Sequence, residues 1–365
     1  MRAGSPLRRI NVAQARELQQ HGAVMLDVRN PDEWRSGVAP GAVRVPLASL
    51  QAGGGSLPDS LPVDCSVPVM LICETSQRAQ AAAVILQQQG YTNLAVVAGG
   101  MQAWREAGLS LETPSVDARE LRYDRQLRLP QWGCQAQEKM AQAHVLMIGV
   151  GGLGSPAALY LAAAGIGRLT LLDDDVVEES NLQRQILHST DAIGQPKVES
   201  ARRRLQALNP YVDIHSVPSR LSAQNAAFLI EQADVVIDGS DNLATRYLVN
   251  RLCWQTSTPL VYAAVFQFEG QVASFDFRQP DSPCYACLFP PASDAEPANC
   301  AQAGVLGVVP GMAGTLQASE AIKLVTGVGQ PLTGQLLTFD VLENRFRTLT
   351  LRKDPHCPVC AASPR

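Results

Sequence analysis

The chain has no long apolar run, no basic arm and no excess of positive charge. Its longest apolar stretch, residues 303–312, is interrupted by Gly304, Gly307, Pro310 and Gly311. A bilayer crossing needs about 20 apolar residues, so no membrane span is expected. Lys and Arg number 30 against 34 Asp and Glu, a formal net charge of -4. Without a clustered Lys/Arg surface, nonspecific nucleic-acid binding is not expected. Arg2, Arg8 and Arg9 run on into Gln14, Arg16, Glu17 and Gln19 rather than an apolar segment. That pattern carries no secretory signal, and a cytoplasmic protein is expected. No internal repeat is visible.

The chain is long enough for two domains at 365 residues, and 46% hydrophobic residues against 18% charged can bury their cores. Residues 23–28, 67–73 and 94–97 read as strands alternating with helical segments over 12–20, 79–89 and 101–108. Together they predict a small α/β unit over 8–110. Residues 53–62, rich in Gly, Ser and Pro, read as a loop, and 111–120, with Pro114 and Ser115, as a linker. A second unit is expected over 121–365. Its segments 145–148, 168–172 and 235–237 are apolar on both faces, as buried parallel strands are. After Gly194-Gln-Pro196 a helix is expected to end at Asn209-Pro210, with Lys197 at its positive start.

Gly149, Gly151 and Gly154 follow the first of these strands and open an apolar helix. Such glycines allow the tight turn, the close backbone approach and the helix packing that a phosphate at a helix N-terminus needs. Asp173 follows at the spacing of an acid that binds ribose hydroxyls. This fingerprint alone serves NAD as well as ATP. Arg184 and Lys197 favour ATP, since a triphosphate needs fixed cations at its β and γ groups. Asp241 comes after strand 235–237 and its Gly239 turn, at the carboxyl edge where ligands gather, and is a candidate holder of Mg2+. Taken singly, Arg184 and Lys197 also read as surface ion-pair partners, and Asp241 as a helix cap.

The nine cysteines, in a reducing compartment, read as thiols, metal ligands or catalytic groups. Cys284-x-x-Cys287 and Cys357-x-x-Cys360 supply four thiolates suited to tetrahedral Zn2+ with no open position, a structural site. Cys65, Cys134 and Cys253 read as small apolar residues.

Residues 122–360 resemble the E1-like MoeB/ThiF/HesA family, most closely the molybdopterin-synthase adenylyltransferases. The motifs are Arg122-Tyr-Asp-Arg-Gln126, Gly149-Val-Gly-Gly-Leu-Gly154, Leu171-Leu-Asp173, Ser180-Asn181-Leu182-Gln183-Arg184-Gln185, Gly194-Gln-Pro-Lys197, Asp238-Gly-Ser-Asp-Asn242 and the four cysteines. The resemblance implies a Rossmann-like, doubly wound domain whose Gly152, Asp173, Asn181, Arg184, Lys197 and Asp241 line an ATP site. It also implies a homodimer in which Arg125 reaches the neighbouring subunit's triphosphate. Cys300 corresponds to a cysteine that can meet the activated carrier.

Leu26-Asp-Val-Arg29, Pro31-Asp-Glu-Trp34, Gly41-Ala-Val-Arg44, Pro46-Leu47 and Gly99-Gly-Met-Gln-Ala-Trp104 resemble a rhodanese domain. The resemblance makes Cys73 a persulfide carrier. Its loop, ending at Arg78, departs from the family at Glu74, Ser76 and Ala79, which leaves the sulfur donor open between thiosulfate and a cysteine desulfurase. Asp27 and Arg29 read as an internal charge pair.

The expected function is ATP-dependent adenylylation of the C-terminal glycine of a ubiquitin-like sulfur carrier ending in Gly-Gly, of the molybdopterin-synthase small-subunit type. Sulfur from Cys73 would then complete a thiocarboxylate. A thiamine or tRNA-thiolation carrier, a non-catalytic scaffold and an NAD-dependent oxidoreductase are the alternatives.

Overall fold

The computed structural model describes residues 7–52, 61–62, 64–113, 118–291 and 304–361. Much of the loop expected over 53–62, part of the linker (114–117) and Cys300 lie outside the described residues. The chain divides into two compact units, Met1–Gln135 and Ala136–Arg365.

The first unit runs β1 (Arg8–Ile10), α1 (Val12–Gln20), β2 (Val24–Asp27), β3 (Val43–Arg44), α2 (Leu47–Ala52), β4 (Val69–Ile72), α3 (Gln77–Gln88), β5 (Leu94–Val97), α4 (Gly100–Glu106) and α5 (Ala118–Leu127). Its strands form an all-parallel sheet in the order β1-β5-β4-β2-β3. Helix α1 begins where expected because Asn11 accepts from Gln14 N while the Gln14 side chain accepts from Asn11 N, a reciprocal cap. Successive strand residues point to opposite faces. Leu26 and Leu71 therefore join Ala82 and Leu86 in one core cluster, while Met25, Met70 and Ile72 join Met101 and Trp104 in another. The central strands β4 and β5 are apolar and buried throughout because the sheet is covered on both faces there, whereas the edge strands β1 and β3 carry exposed arginines.

The second unit contains α6 (Gly133–Gln142), which starts just before the division, then β6 (His144–Ile148), α7 (Gly154–Ala164), β7 (Arg168–Leu172), α8 (Lys197–Leu208), β8 (Asp213–Val217), α9 (Ala226–Glu231) and β9 (Val235–Asp238). There follow α10 (Leu243–Thr256), β10 (Leu260–Phe266), β11 (Glu269–Phe275), α11 (Tyr285–Leu288), α12 (Val308–Thr326), β12 (Gln335–Asp340) and β13 (Arg345–Thr350). The sheet order is β13-β12-β11-β10-β9-β6-β7-β8. Strands β8, β7, β6, β9 and β10 are parallel, and β11 to β13 continue antiparallel. The chain leaves β6 toward β7 and returns on its other side as β9, so the strand order reverses between β6 and β9. A crevice opens outside the carboxyl ends of the strands at such a point.

Sequence reasoning did not place β10 to β13. Every residue of β13 is exposed, so it lacks the buried apolar face that marks a strand. Helix α12 carries Pro310 in its first turn, where a proline is tolerated. Cys253 is buried as expected, but Cys134 is exposed, with its Sγ 3.9 Å from Ser49 Oγ, so it does not fill a core position.

The Asp27–Arg29 pair is fully buried, with Arg29 Nη2 donating to Asp27 Oδ2 at 2.7 Å and to the Gly37 carbonyl at 2.8 Å. Removing one partner strands the other's charge in a low-dielectric interior. Arg29→Ala is expected to destabilise the first unit by about 3–5 kcal/mol, read as a lower urea midpoint; a change below about 1 kcal/mol would show the pair to be dispensable.

Candidate functional site

Where β6 ends, Gly149 turns the chain with φ +87°. A Cβ there would lie 3.1 Å from the Gly239 carbonyl after β9, and one on Gly154 only 2.2 Å from the Gly149 carbonyl. The turn and the start of α7 are thus packed backbone against backbone. The amide of Val150 is held by Asp173 Oδ2 at 2.9 Å, and Asp175 N donates to Asp173 Oδ1 at 3.0 Å. Burial pushes the Asp173 carboxyl above the usual carboxylate range, partly offset by these amides and by Lys197.

This turn floors an open cleft of about 1110 Å³. Of the sequence-predicted residues, Gly149, Gly151, Gly152, Asp173, Ser180, Asn181, Gln183, Arg184, Lys197, Asp241 and Asn242 line it. Gly154 and Leu182 do not. Gly154 is buried beneath the turn, and Leu182 follows the short helical turn Glu179–Asn181. Arg125 lies on α5 and is not among the lining residues. Cys300 lies outside the described residues.

The cations sit at different stages of engagement. Arg184 donates from Nη1 to the Ser180 carbonyl at 3.0 Å. Lys197, buried at the start of α8, places Nζ 2.7 Å from Asp175 Oδ2. Asn242 caps α10 by accepting from Thr245 N at 2.9 Å. The neighbouring Asp241 is exposed, with no hydrogen bond or ion pair among the described residues. An uncommitted carboxylate is the donor type a hard divalent cation takes, so Asp241 fits Mg2+.

Sequence reasoning missed the far wall. Arg246, one helical turn beyond Asn242, donates from Nη2 to the Ser240 carbonyl at 2.8 Å and stacks its guanidinium 5.2 Å from the Tyr262 ring centre. Tyr262, Tyr285 and Phe289 form a contiguous aromatic wall, with Tyr262–Tyr285 and Tyr285–Phe289 ring centres each 5.1 Å apart. Beneath it Asp238 is buried and accepts from Ser240 N at 2.9 Å; burial raises its carboxyl despite Arg246 nearby. The i, i+4 spacing of Asn242 and Arg246 on a capped helix was the available signal.

The thiols of Cys284, Cys287, Cys357 and Cys360 converge, all within 4.8 Å of one another. Cys284 and Cys357 Sγ are 3.6 Å apart, and Cys287 and Cys360 Sγ 3.3 Å. The amide of Asp354 and the Asn250 side chain donate to Cys287 and Cys284 Sγ. Four sulfurs at these separations, with donors behind them, can hold a metal ion tetrahedrally. Cys284, Cys357 and Cys360 also belong to the core cluster containing Cys253 and Phe275, so the pairs join the tail to the body.

In the first unit Cys73 is buried after β4, and Ser76 N donates to its Sγ at 3.1 Å. Ser76 adopts φ +88°, the left-handed backbone a glycine takes easily. Its hydroxyl donates to the Val97 carbonyl at 3.0 Å and accepts from Gly99 N at 2.9 Å, which holds a side chain in that conformation. Glu74 does not leave its charge beside the thiol uncompensated: it pairs with Arg105 and, at 3.5 Å, with Arg29.

Residues 123–359 match the ThiF family and residues 11–107 the rhodanese-like domain. The chain is similar to the sulfur carrier protein adenylyltransferase of Thermus thermophilus, 48% identical over 248 residues, which cover 67% of this chain and 91% of that protein. It is also similar to the SAMP-activating enzyme E1 of Haloferax volcanii, 45% identical and covering 68% and 92%. The adenylyltransferase and sulfurtransferase MOCS3 of Xenopus laevis is 48% identical over 66% of this chain and 53% of its own length. Among solved structures, Escherichia coli MccB with ATP aligns at a TM-score of 0.59 and 24% identity, covering 66% of this chain and 75% of that one, a likeness of fold.

The thiol cluster predicts its own test. Cys357→Ser is expected to abolish metal retention through purification and to lower the thermal midpoint by at least about 5 °C. Metal analysis and calorimetry read both, and an unaltered midpoint would show that the cluster does not clamp the fold.

Proposed function

Because the chain belongs to the ThiF family and carries a rhodanese-like domain ahead of that region, we propose that it adenylylates the C-terminal glycine of a ubiquitin-like sulfur carrier with ATP and supplies the sulfur that follows. The observation that carries this reading is the backbone cradle at the β6/β9 switch point with Arg184, Lys197 and Asp241 around one cleft. A dinucleotide needs no such set of charges, whereas a departing pyrophosphate does.

In this reading the nucleotide's phosphates lie over the Gly149–Gly154 turn and Asp173 takes the ribose hydroxyls. The carrier's carboxylate, already ionised at neutral pH, attacks the α-phosphate, and the electron pair leaves with pyrophosphate. No general base is required, and positioning and charge neutralisation do the work. Arg184 and Lys197 offset the leaving charge, with Arg125 contributed by a second copy in a homodimer. Asp241 would hold Mg2+, which would supply charge neutralisation to the phosphates. The aromatic wall of Tyr262, Tyr285 and Phe289 suits an extended glycine-rich tail, whose exposed backbone packs on flat rings. The thiol cluster would hold Zn2+ as a structural clamp.

Sulfur would come from a persulfide on Cys73. Its terminal sulfur attacks the acyl-adenylate carbonyl and AMP leaves; reduction of the resulting acyl disulfide by a thiol gives the carrier thiocarboxylate. The domains proposed are 8–110 for the rhodanese-like part, 111–120 as linker and 121–365 for the adenylyltransferase part, in the cytoplasm. Among the described residues no helix is long and apolar enough to cross a membrane. The favoured carrier is the molybdopterin-synthase small subunit.

Asp241→Ala is expected to abolish ATP–pyrophosphate exchange and Arg184→Ala to slow it by about 10³-fold. Cys73→Ala leaves exchange at the parent rate and removes the thiocarboxylate from the carrier's intact mass. No adduct on that carrier, but one on a thiamine or tRNA-thiolation carrier, would move the pathway. Absence of exchange with all of them would leave a scaffold and refute the enzyme.

A further inference from the structure

Three arginines surround the Cys73 loop, and each is already held by a carboxylate. Arg29 is buried against Asp27. Arg105 pairs with Glu74, and its Nη1 is shielded from solvent without a partner. Arg78, the last residue of the run from Cys73, forms a two-pronged pair with Glu33: Nη1 to Oε2 at 2.5 Å and Nη2 to Oε1 at 2.6 Å. The Glu33 side chain is 27% exposed and that of Arg78 31%. Glu33 is itself fixed by accepting from Asn30 N at 3.0 Å at the start of the short turn Glu33–Ser36. Burial alone would raise the Glu33 carboxyl, but the Arg78 hydrogen bond and the Asn30 amide together bring it below the usual range, so it stays ionised at neutral pH. The fork of Arg78, the part of the side chain that recognises an oxyanion, is occupied by the protein's own carboxylate.

The charge of the sulfur donor then decides between chemistries. Attack of a Cys73 thiolate on thiosulfate gathers three negative charges and expels sulfite dianion, which a site without an available cation does not support. Attack on the terminal sulfur of a thiol persulfide, R–S–SH, involves one negative charge throughout. The Cys73 Sγ–S bond forms, the donor S–S bond breaks, its electron pair leaves on the thiolate R–S⁻, and the proton stays on the transferred sulfur. No external oxidant or reductant is needed.

Resting on the persulfide role of Cys73, we propose that Glu33, by occupying the Arg78 fork, is a donor-selecting residue that sets the rhodanese-like unit to accept sulfur from thiol-bound persulfides and to reject thiosulfate. Glu33 acts through Arg78 and is a positioning residue, touching neither donor nor Cys73.

The test uses the full chain and measures cyanide-labile sulfur on Cys73, as kcat/KM for three donors: thiosulfate, glutathione persulfide, and a cysteine desulfurase supplied with cysteine. The wild type is expected to favour a persulfide donor over thiosulfate by at least about 10-fold, and whichever persulfide loads faster identifies the source. Glu33→Gln keeps the acceptor for Asn30 N but frees the Arg78 charge. It is expected to shift the donor ratio toward thiosulfate by about 10-fold or more, mainly through KM. The ratio is read on one preparation, so partial misfolding cancels. Glu33→Asp restores discrimination, and the double variant Glu33→Gln/Arg78→Gln loses the gain. Equal use of thiosulfate and persulfide by the wild type, or a donor ratio unmoved by Glu33→Gln, overturns the proposal. Failure of every donor to place sulfur on Cys73 overturns the persulfide role beneath it, a separate result.

Discussion

The second unit depends on a turn from β6 into α7 whose backbones meet so closely that the Gly154 position has no room for a side chain. With a Cβ on Gly154 only 2.2 Å from the Gly149 carbonyl, and one on Gly149 3.1 Å from the Gly239 carbonyl, the first turn of α7 is set directly on the sheet edge. Asp173 reaches across from the end of β7 to hold the Val150 amide. That one arrangement places the start of a helix, the Asp173 carboxylate and the crevice of a strand-order reversal around the same point. Arg184, Lys197 and Asp241 arrive on the segments that rim this crevice. Their distance in sequence is immaterial once the sheet order is set, because every segment returns to the same edge.

The two units treat charge in opposite ways. Around the cleft, cationic capacity remains for an incoming polyanion: Arg184 is tied to a backbone carbonyl rather than a carboxylate, and Lys197 is paired with an Asp175 that is 67% exposed on its side chain. An exposed partner is readily outcompeted by a multiply charged phosphate. Around Cys73, arginine and carboxylate are matched one to one, with the innermost pair fully buried and costly to separate. A unit of this kind keeps its loop in shape with charge while presenting little net charge to a donor. The same residue types are thus loosely held in one unit and tightly paired in the other, and burial of the partner distinguishes them.

Cysteine divides along similar lines. Four thiols converge with polar donors behind two of them, which suits a metal clamp. Cys73 stands apart from them in the first unit, its sulfur accepting from the amide of Ser76. Cys253 is packed as an apolar group, whereas Cys134 reaches the surface. Spacing distinguished the first set from the rest, but no spacing rule separates a buried thiol from an exposed one.

Much of the architecture was legible because it is local or periodic. Asn11 and Gln14 cap α1 from within their own turn, Gly149 to Gly154 announce the strand-to-helix turn, and strands apolar on both faces declare a covered parallel sheet. The two Cys-x-x-Cys pairs announce their convergence by donor type. By itself, then, the sequence determined the two α/β units, the nucleotide-type cradle and the thiol set, since each rests on residues a few positions apart whose chemistry admits few alternatives. The tertiary structure alone decided the antiparallel extension through β13, which buries no face of its own, the aromatic wall joined by Arg246, and the Glu33–Arg78 fork, whose members are far apart in the chain. Those features are pairings across space, and hydrophobic periodicity carries no information about which distant charge or ring a side chain will meet.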